Sequence, residues 1–84
     1  MPMIIREVLI EEQSLAYLKQ RGLDKQYFKA VRFILLWSFT SVDFRKRKPK
    51  TEDVFYFRIN KQFRAIGKIK KDVFLVTSIS NHQE

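Results

Sequence analysis

The chain has 84 residues, enough for one hydrophobic core and too few for two, and its 45% apolar content includes eight Phe, three Tyr and one Trp. It has no Cys and a single His, which excludes disulfides, thiolate nucleophiles, iron–sulfur clusters and any multi-histidine metal centre. The formal charge is +8 and unevenly placed: residues 1–44 carry a net +1, whereas residues 45–71 carry a net +9.

Residues 3–10 are β-branched and mostly apolar, which predicts a first strand. Glu11 and Glu12 suit a helix start. Leu15, Ala16 and Leu18 follow, then a basic end at Lys19 and Arg21 and a stop at Gly22. Asp24 is placed to cap a second helix reaching Trp37 or Phe39, in which Tyr27, Phe28, Val31, Ile34 and Leu35 recur at spacings of three and four. Helical periodicity is lost over Arg45-Lys46-Arg47-Lys48-Pro49-Lys50, a loop or the ragged start of a strand. Beyond it the period falls to two over residues 54–59, 63–69 and 73–80, separated by Asn60-Lys61-Gln62 and Lys70-Lys71-Asp72, which predicts a three-stranded meander. The β-α-α-β-β-β order predicts one α+β domain over residues 1–84, with two helices packed on one face of a mostly antiparallel sheet. The longest apolar stretch, residues 33–39, is far short of the roughly 20 residues a membrane helix requires. Residues 1–10 lack the pattern of a secretory signal. A cytoplasmic protein with no membrane partner is expected.

Side-chain parity sorts the meander into two faces, provided both hairpin loops hold an odd number of residues. Phe55, Phe57, Ile59, Phe63, Ala65, Gly67, Ile69, Val73, Leu75, Thr77 and Ile79 should face the helices. Tyr56, Arg58, Arg64, Ile66, Lys68, Phe74, Val76, Ser78, Ser80 and His82 should face away, with Arg58 beside Arg64 and Arg64 beside Ser78. Trp37 and the Phe residues are expected in the core, while Tyr56 and Phe74, if exposed, could stack on bases.

A positive field of this size favours a polyanion, most simply nucleic-acid phosphates. Strand arginines and basic runs are commonly only solvated surface. Here, however, two arginines, a histidine and a lysine-rich run share one sheet face, and that grouping suits phosphodiester chemistry. Arg forks hold a phosphate bidentately and stabilise the charge of its transition state. An imidazole titrating near neutrality can take or return a proton. RNA supplies its own nucleophile, the 2′-hydroxyl, so neither a metal nor a cofactor is required. The candidate catalytic residues are His82, Arg64 and Arg58, and those for phosphate or RNA binding are Arg45, Lys46, Arg47, Lys48, Lys50, Lys68 and Tyr56. Glu52 and Asp53 are the carboxylates nearest the basic run.

The stretch Phe57-Arg58-Ile59-Asn60-Lys61-Gln62-Phe63-Arg64-Ala65-Ile66, then Ile69, a Lys-Lys-Asp turn, Val73-Phe74-Leu75-Val76 and Asn81-His82-Gln83, resembles the RelE/ParE toxin superfamily, most closely its HigB and YoeB branches. The resemblance is specific over residues 54–83 and one of element order over the first half. It implies a small basic toxin of a type II toxin–antitoxin system that cleaves mRNA, in many relatives on the 70S ribosome, and that is blocked by a cognate antitoxin. By position, Arg58 and Arg64 resemble the two hairpin arginines. His82 resembles the histidine near the end of the chain, and Lys48 and Lys50 fall where relatives carry functional lysines. A ParE-like inhibitor of DNA gyrase and a non-catalytic nucleic-acid-binding module of the same fold are the rival expectations.

Overall fold

The computed structural model describes residues 4–47 and 53–81. In chain order these form β1 (Glu7–Ile10), α1 (Glu12–Gln20), α2 (Asp24–Leu35), a 3-10 turn (Phe39–Val42), and then β2 (Arg45–Lys46), β3 (Val54–Arg58), β4 (Phe63–Lys70) and β5 (Val73–Asn81). The expected β-α-α-β-β-β order is present, with a two-residue strand added from the basic run. The sheet runs β1-β5-β4-β3-β2, and β1 is parallel to β5 while the other pairs are antiparallel.

Both helices form because each repeats apolar residues along one stripe. α1 buries Leu18 with Ser14, and α2 buries Tyr27, Ala30, Val31 and Ile34 at steps of three, one and three. Glu11 is the N-cap of α1, and its backbone N–H donates to the Val76 carbonyl at 3.0 Å, tying the helix start to β5. Gly22, at φ +67°, turns the chain out of α1 in the left-handed region that favours glycine. Asp24 is not the cap of α2. Leu23 takes that position, and Asp24 is the first helical residue, where its charge still faces the helix dipole favourably.

The helix also stops short of the expected Trp37 or Phe39. It ends at Leu35, and Trp37, a residue 54% exposed, turns the chain at φ +62°. Trp37 is therefore outside the core, as is the half-exposed Phe28. The core joins Leu18 and the buried stripe of α2 to Phe57, Ala65, Phe74 and Val76 of the sheet.

Phe74 and Val76, expected on the outer face, are completely buried, while Leu75 points outward. Two local features produce this reversal. Lys70 pairs directly with Val73, so the second hairpin turns on two residues, with Lys71 at φ +60°, and the loop is not odd. Farther along, Ile66 pairs with Ser78 but Gly67 with Val76, leaving Thr77 as a bulged residue whose hydroxyl donates to the Ile66 carbonyl at 3.4 Å. The even turn inverts the faces of Val73–Val76, and the bulge restores the expected parity from Ser78 onward. Arg64 consequently lies beside Ser80, not Ser78.

Tyr27 is 1% exposed and packs against the rings of Phe28 and Phe57, and this burial pushes its phenol well above the ordinary value for tyrosine. The folded state then retains a proton that the unfolded state releases near pH ~10. The resulting stability is complete below that pH and falls away above it. The urea midpoint is expected to decline more steeply above pH ~10 in the parent than in Tyr27→Phe. Identical pH profiles for the two would show that Tyr27 does not control alkaline unfolding.

Candidate nucleic-acid interface

The first hairpin places the two arginines. Asn60 Oδ1 accepts from the backbone N–H groups of Gln62 and Phe63, both at 2.8 Å, while the Ile59 N–H donates to the Phe63 carbonyl at 2.9 Å. This asparagine closes the turn with its own side chain, a local role for which its short amide suits it. Its Nδ2 also donates to Gln26 Oε1 of α2 at 2.8 Å, fixing the hairpin against the helix. The resulting register sets Arg58 opposite Arg64, as the sequence predicts.

On the outer face, Arg47, Tyr56, Arg64, Ile66 and Ser80 line a depression of about 230 Å³. The Arg64 guanidinium carbon lies 4.9 Å from the centroid of the Tyr56 ring, a cation–π contact that steadies both side chains. Tyr56 is half-buried between Arg45 on β2 and Ile66 on β4. Among the described residues Arg64 has no carboxylate partner, so its fork remains available to a phosphate.

Arg58 is placed differently. Asp43, whose backbone is left-handed at φ +52°, contacts Arg45 Nε at 2.6 Å and Arg58 at 3.7 Å. One carboxylate thus holds two of the candidate cations at the edge of the sheet. Sequence reasoning did not single out Asp43; the available signal was an acidic residue two places ahead of the basic run.

The other candidates divide among several places. Arg45 and Tyr56 are register partners on the outer face. Lys46 pairs with Phe55, so it turns to the opposite side, with its ammonium 5.9 Å from the Phe55 ring and 3.5 Å from Asp53. Lys68 is on the outer face but four residues along β4 from Arg64, about 13 Å away, and lines a separate groove with Val54 and Leu75. Phe74 is buried and contributes nothing to this face. His82, Lys48, Lys50 and Glu52 lie outside the described residues. Among the described residues no group of three His, Cys, Asp or Glu is arranged to hold a metal ion, and no helix is long and apolar enough to cross a membrane.

What the described arrangement can do is hold an anion. Two guanidinium groups and a serine hydroxyl converge beside an aromatic ring, on the face that α1 and α2 leave uncovered. No protein-family model matches the chain, and no curated protein sequence matches it. Among solved structures it is similar to the YoeB dimer from Staphylococcus aureus, with a TM-score of 0.68, 13% sequence identity, and coverage of 99% of this chain and 100% of that one. At that identity the likeness is one of architecture: the chain has the RelE-like α+β fold that YoeB also adopts.

Proposed function

We infer that this protein is the toxin of a type II toxin–antitoxin pair, a metal-independent endoribonuclease that cleaves mRNA on the 70S ribosome in the cytoplasm and is held in check by a cognate antitoxin. The observation that carries this reading is the convergence of Arg47, Tyr56, Arg64 and Ser80 in one depression on the uncovered face of a RelE-like sheet. Arg64 and Arg47 bind the scissile phosphate and stabilise the charge it gains in the transition state. Arg58, Arg45, Lys48 and Lys50 hold the neighbouring backbone, and Tyr56 offers a ring to a base. The 2′-hydroxyl attacks the adjacent phosphorus while the bond to the 5′-oxygen breaks, giving a 2′,3′-cyclic phosphate and a 5′-hydroxyl. His82 serves as acid or base, taking the proton from the 2′-oxygen or supplying one to the leaving oxygen.

Primer extension on a defined mRNA, with and without programmed ribosomes, tests this directly. Discrete cuts that need ribosomes are expected from the parent protein, and His82→Ala should lose them while still binding RNA. Cleavage by His82→Ala at the parent rate would move proton transfer to another group. The complete absence of cuts from folded parent protein would overturn the endoribonuclease reading, and a gyrase supercoiling assay would then test the ParE-like alternative.

A further inference from the structure

A second cavity opens on the other side of the Arg58 edge. It is a cleft of about 260 Å³ between α2 and the free end of β3. Lys29 and Gln26 line it from the helix, Ser41 from the 3-10 turn and Arg58 from the sheet, with Phe33 and Val42 providing apolar wall. It exists because β2 covers only Phe55 and Tyr56 of β3, leaving the strand end at Arg58 uncovered at the sheet edge. A concave site with apolar walls and a few convergent polar groups is the usual form of a small-ligand pocket.

The charges indicate the ligand. Lys29 and Arg58 supply two cations from opposite walls; no described carboxylate lines the cleft, and a phosphate on Arg58 exchanges with its 3.7 Å contact to Asp43 outside it. Gln26 Oε1 is engaged by Asn60, which fixes the amide and leaves its own Nε2 to donate. The Ser41 hydroxyl is already paired with Ser38 at 2.7 Å, and a hydroxyl retains further acceptor capacity. Such a set matches a phosphate bearing a flat, partly apolar base. Arg58 also joins this cleft to the outer face, since Arg58 and Arg64 are direct cross-strand neighbours.

We propose that the cleft between α2 and the β3 edge is a second nucleotide subsite, in which Lys29 and Arg58 hold a phosphate and Phe33 supports the base of a nucleotide flanking the one on Arg64. The proposal rests on the RNA reading of the sheet face for its biological ligand. The cleft itself can be tested without that reading.

The test is an amide NMR titration of the full chain with adenosine 5′-monophosphate, with inorganic phosphate and adenosine as separate arms. Adenosine 5′-monophosphate is expected to shift the Gln26 side-chain amide and the Ala30 and Ser41 backbone amides. Lys29→Gln, on an exposed helical position, should weaken this binding about tenfold, the equivalent of one charge-assisted hydrogen bond. Lys71→Gln, at the exposed turn of the second hairpin, should leave it unchanged. Phosphate alone and adenosine alone should each bind more weakly than the nucleotide. Shifts confined to Arg47, Tyr56, Arg64 and Ser80 would overturn the subsite while leaving the nuclease reading in place. An equal response to phosphate and nucleotide would remove the base-binding role of Phe33 and overturn the nucleotide assignment. No shift in the cleft at millimolar nucleotide would overturn the proposal, whatever the cleavage assay finds.

Discussion

Arg64→Ala is expected to lower the rate of RNA cleavage by about 10²- to 10³-fold, the effect of removing one preorganised donor from a developing negative charge. Arg64 sits at the centre of the outer face, between Arg58 on one neighbouring strand and Ser80 on the other. Its guanidinium is steadied by the Tyr56 ring and has no carboxylate competing for it among the described residues. Arg58 has Asp43 beside it, so a phosphate arriving there must displace an ion pair. Arg64 needs no such exchange, and that is why the larger loss is assigned to it. Arg64→Lys should recover little, because an ammonium keeps the charge and loses the planar fork. Single-turnover cleavage separates this loss from weaker binding. A parent-like rate for Arg64→Ala would remove the residue from the chemistry. The fold should persist, since the side chain covers the sheet from outside.

The elements that local chemistry determines were readable from the residues alone. Tyr27, Val31 and Ile34 of α2, the Gly22 stop and the Arg58–Arg64 pairing follow from helical spacing, positive φ and a three-residue turn built on Asn60, whereas Phe28 and Leu35 of the same periodic set are exposed and the buried Ala30 falls outside it. The outer part of β5 was misassigned because parity arguments propagate one assumption along a whole strand. Lys70-Lys71-Asp72 has the same composition whether two or three residues turn, and nothing in Thr77 itself announces a bulge. The sign that did exist was Gly67, a glycine inside an otherwise β-branched and aromatic sheet, where it often marks a bulge or a close backbone approach. Trp37 defied expectation for a related reason. Its bulk argues for burial, but the φ of +62° at the end of α2 carries its ring outward. At the candidate site, Lys46 was assigned by charge, whereas its face depends on one residue of alternation in a two-residue strand. The Asp43 contacts depend on a tertiary approach between a turn and a strand end, which spacing does not encode.

Gly67→Ala is expected to destabilise the fold by about 3 kcal/mol or more, within the upper range for forced overpacking. A Cβ at this position would collide with the Leu75 carbonyl oxygen, and its next contacts are the Leu75 carbonyl carbon and the Val76 Cα, so the obstruction is backbone and not a side chain able to rotate away. Gly67 pairs with Val76 immediately beside the bulge, and the close approach there holds β4 against β5 where the parity set by the second hairpin gives way to the bulge. Relief of the clash would separate β4 from β5 where Phe74 and Val76 enter the core. For a domain of this size the corresponding fall in Tm is about 12 °C or more. Thermal denaturation followed by far-ultraviolet circular dichroism measures it. A loss within about 1 kcal/mol would mean that the strands can part here without cost to the core. Gly22→Ala provides a contrast: its strain would come from positive φ alone, because nothing lies within 4 Å of the added carbon.

The parallel pairing of β1 with β5 has a consequence for the order in which the molecule is made. β1 is synthesised early, yet its hydrogen-bonding partner is the final described strand, with Glu7 set against Val73. Ribosomal synthesis exposes the N-terminal part first, and pairing across so much sequence is slow because the intervening chain must first be closed into a loop. Until β5 arrives, β1 has no neighbour in the sheet, the apolar stripes of α1 and α2 lack Phe74 and Val76, and Arg64 lacks Ser80 beside it. The nascent chain is therefore without both its closed core and its assembled anion site until residues 73–81 have been made. A single late event, the docking of β5 between β1 and β4, brings both into being together.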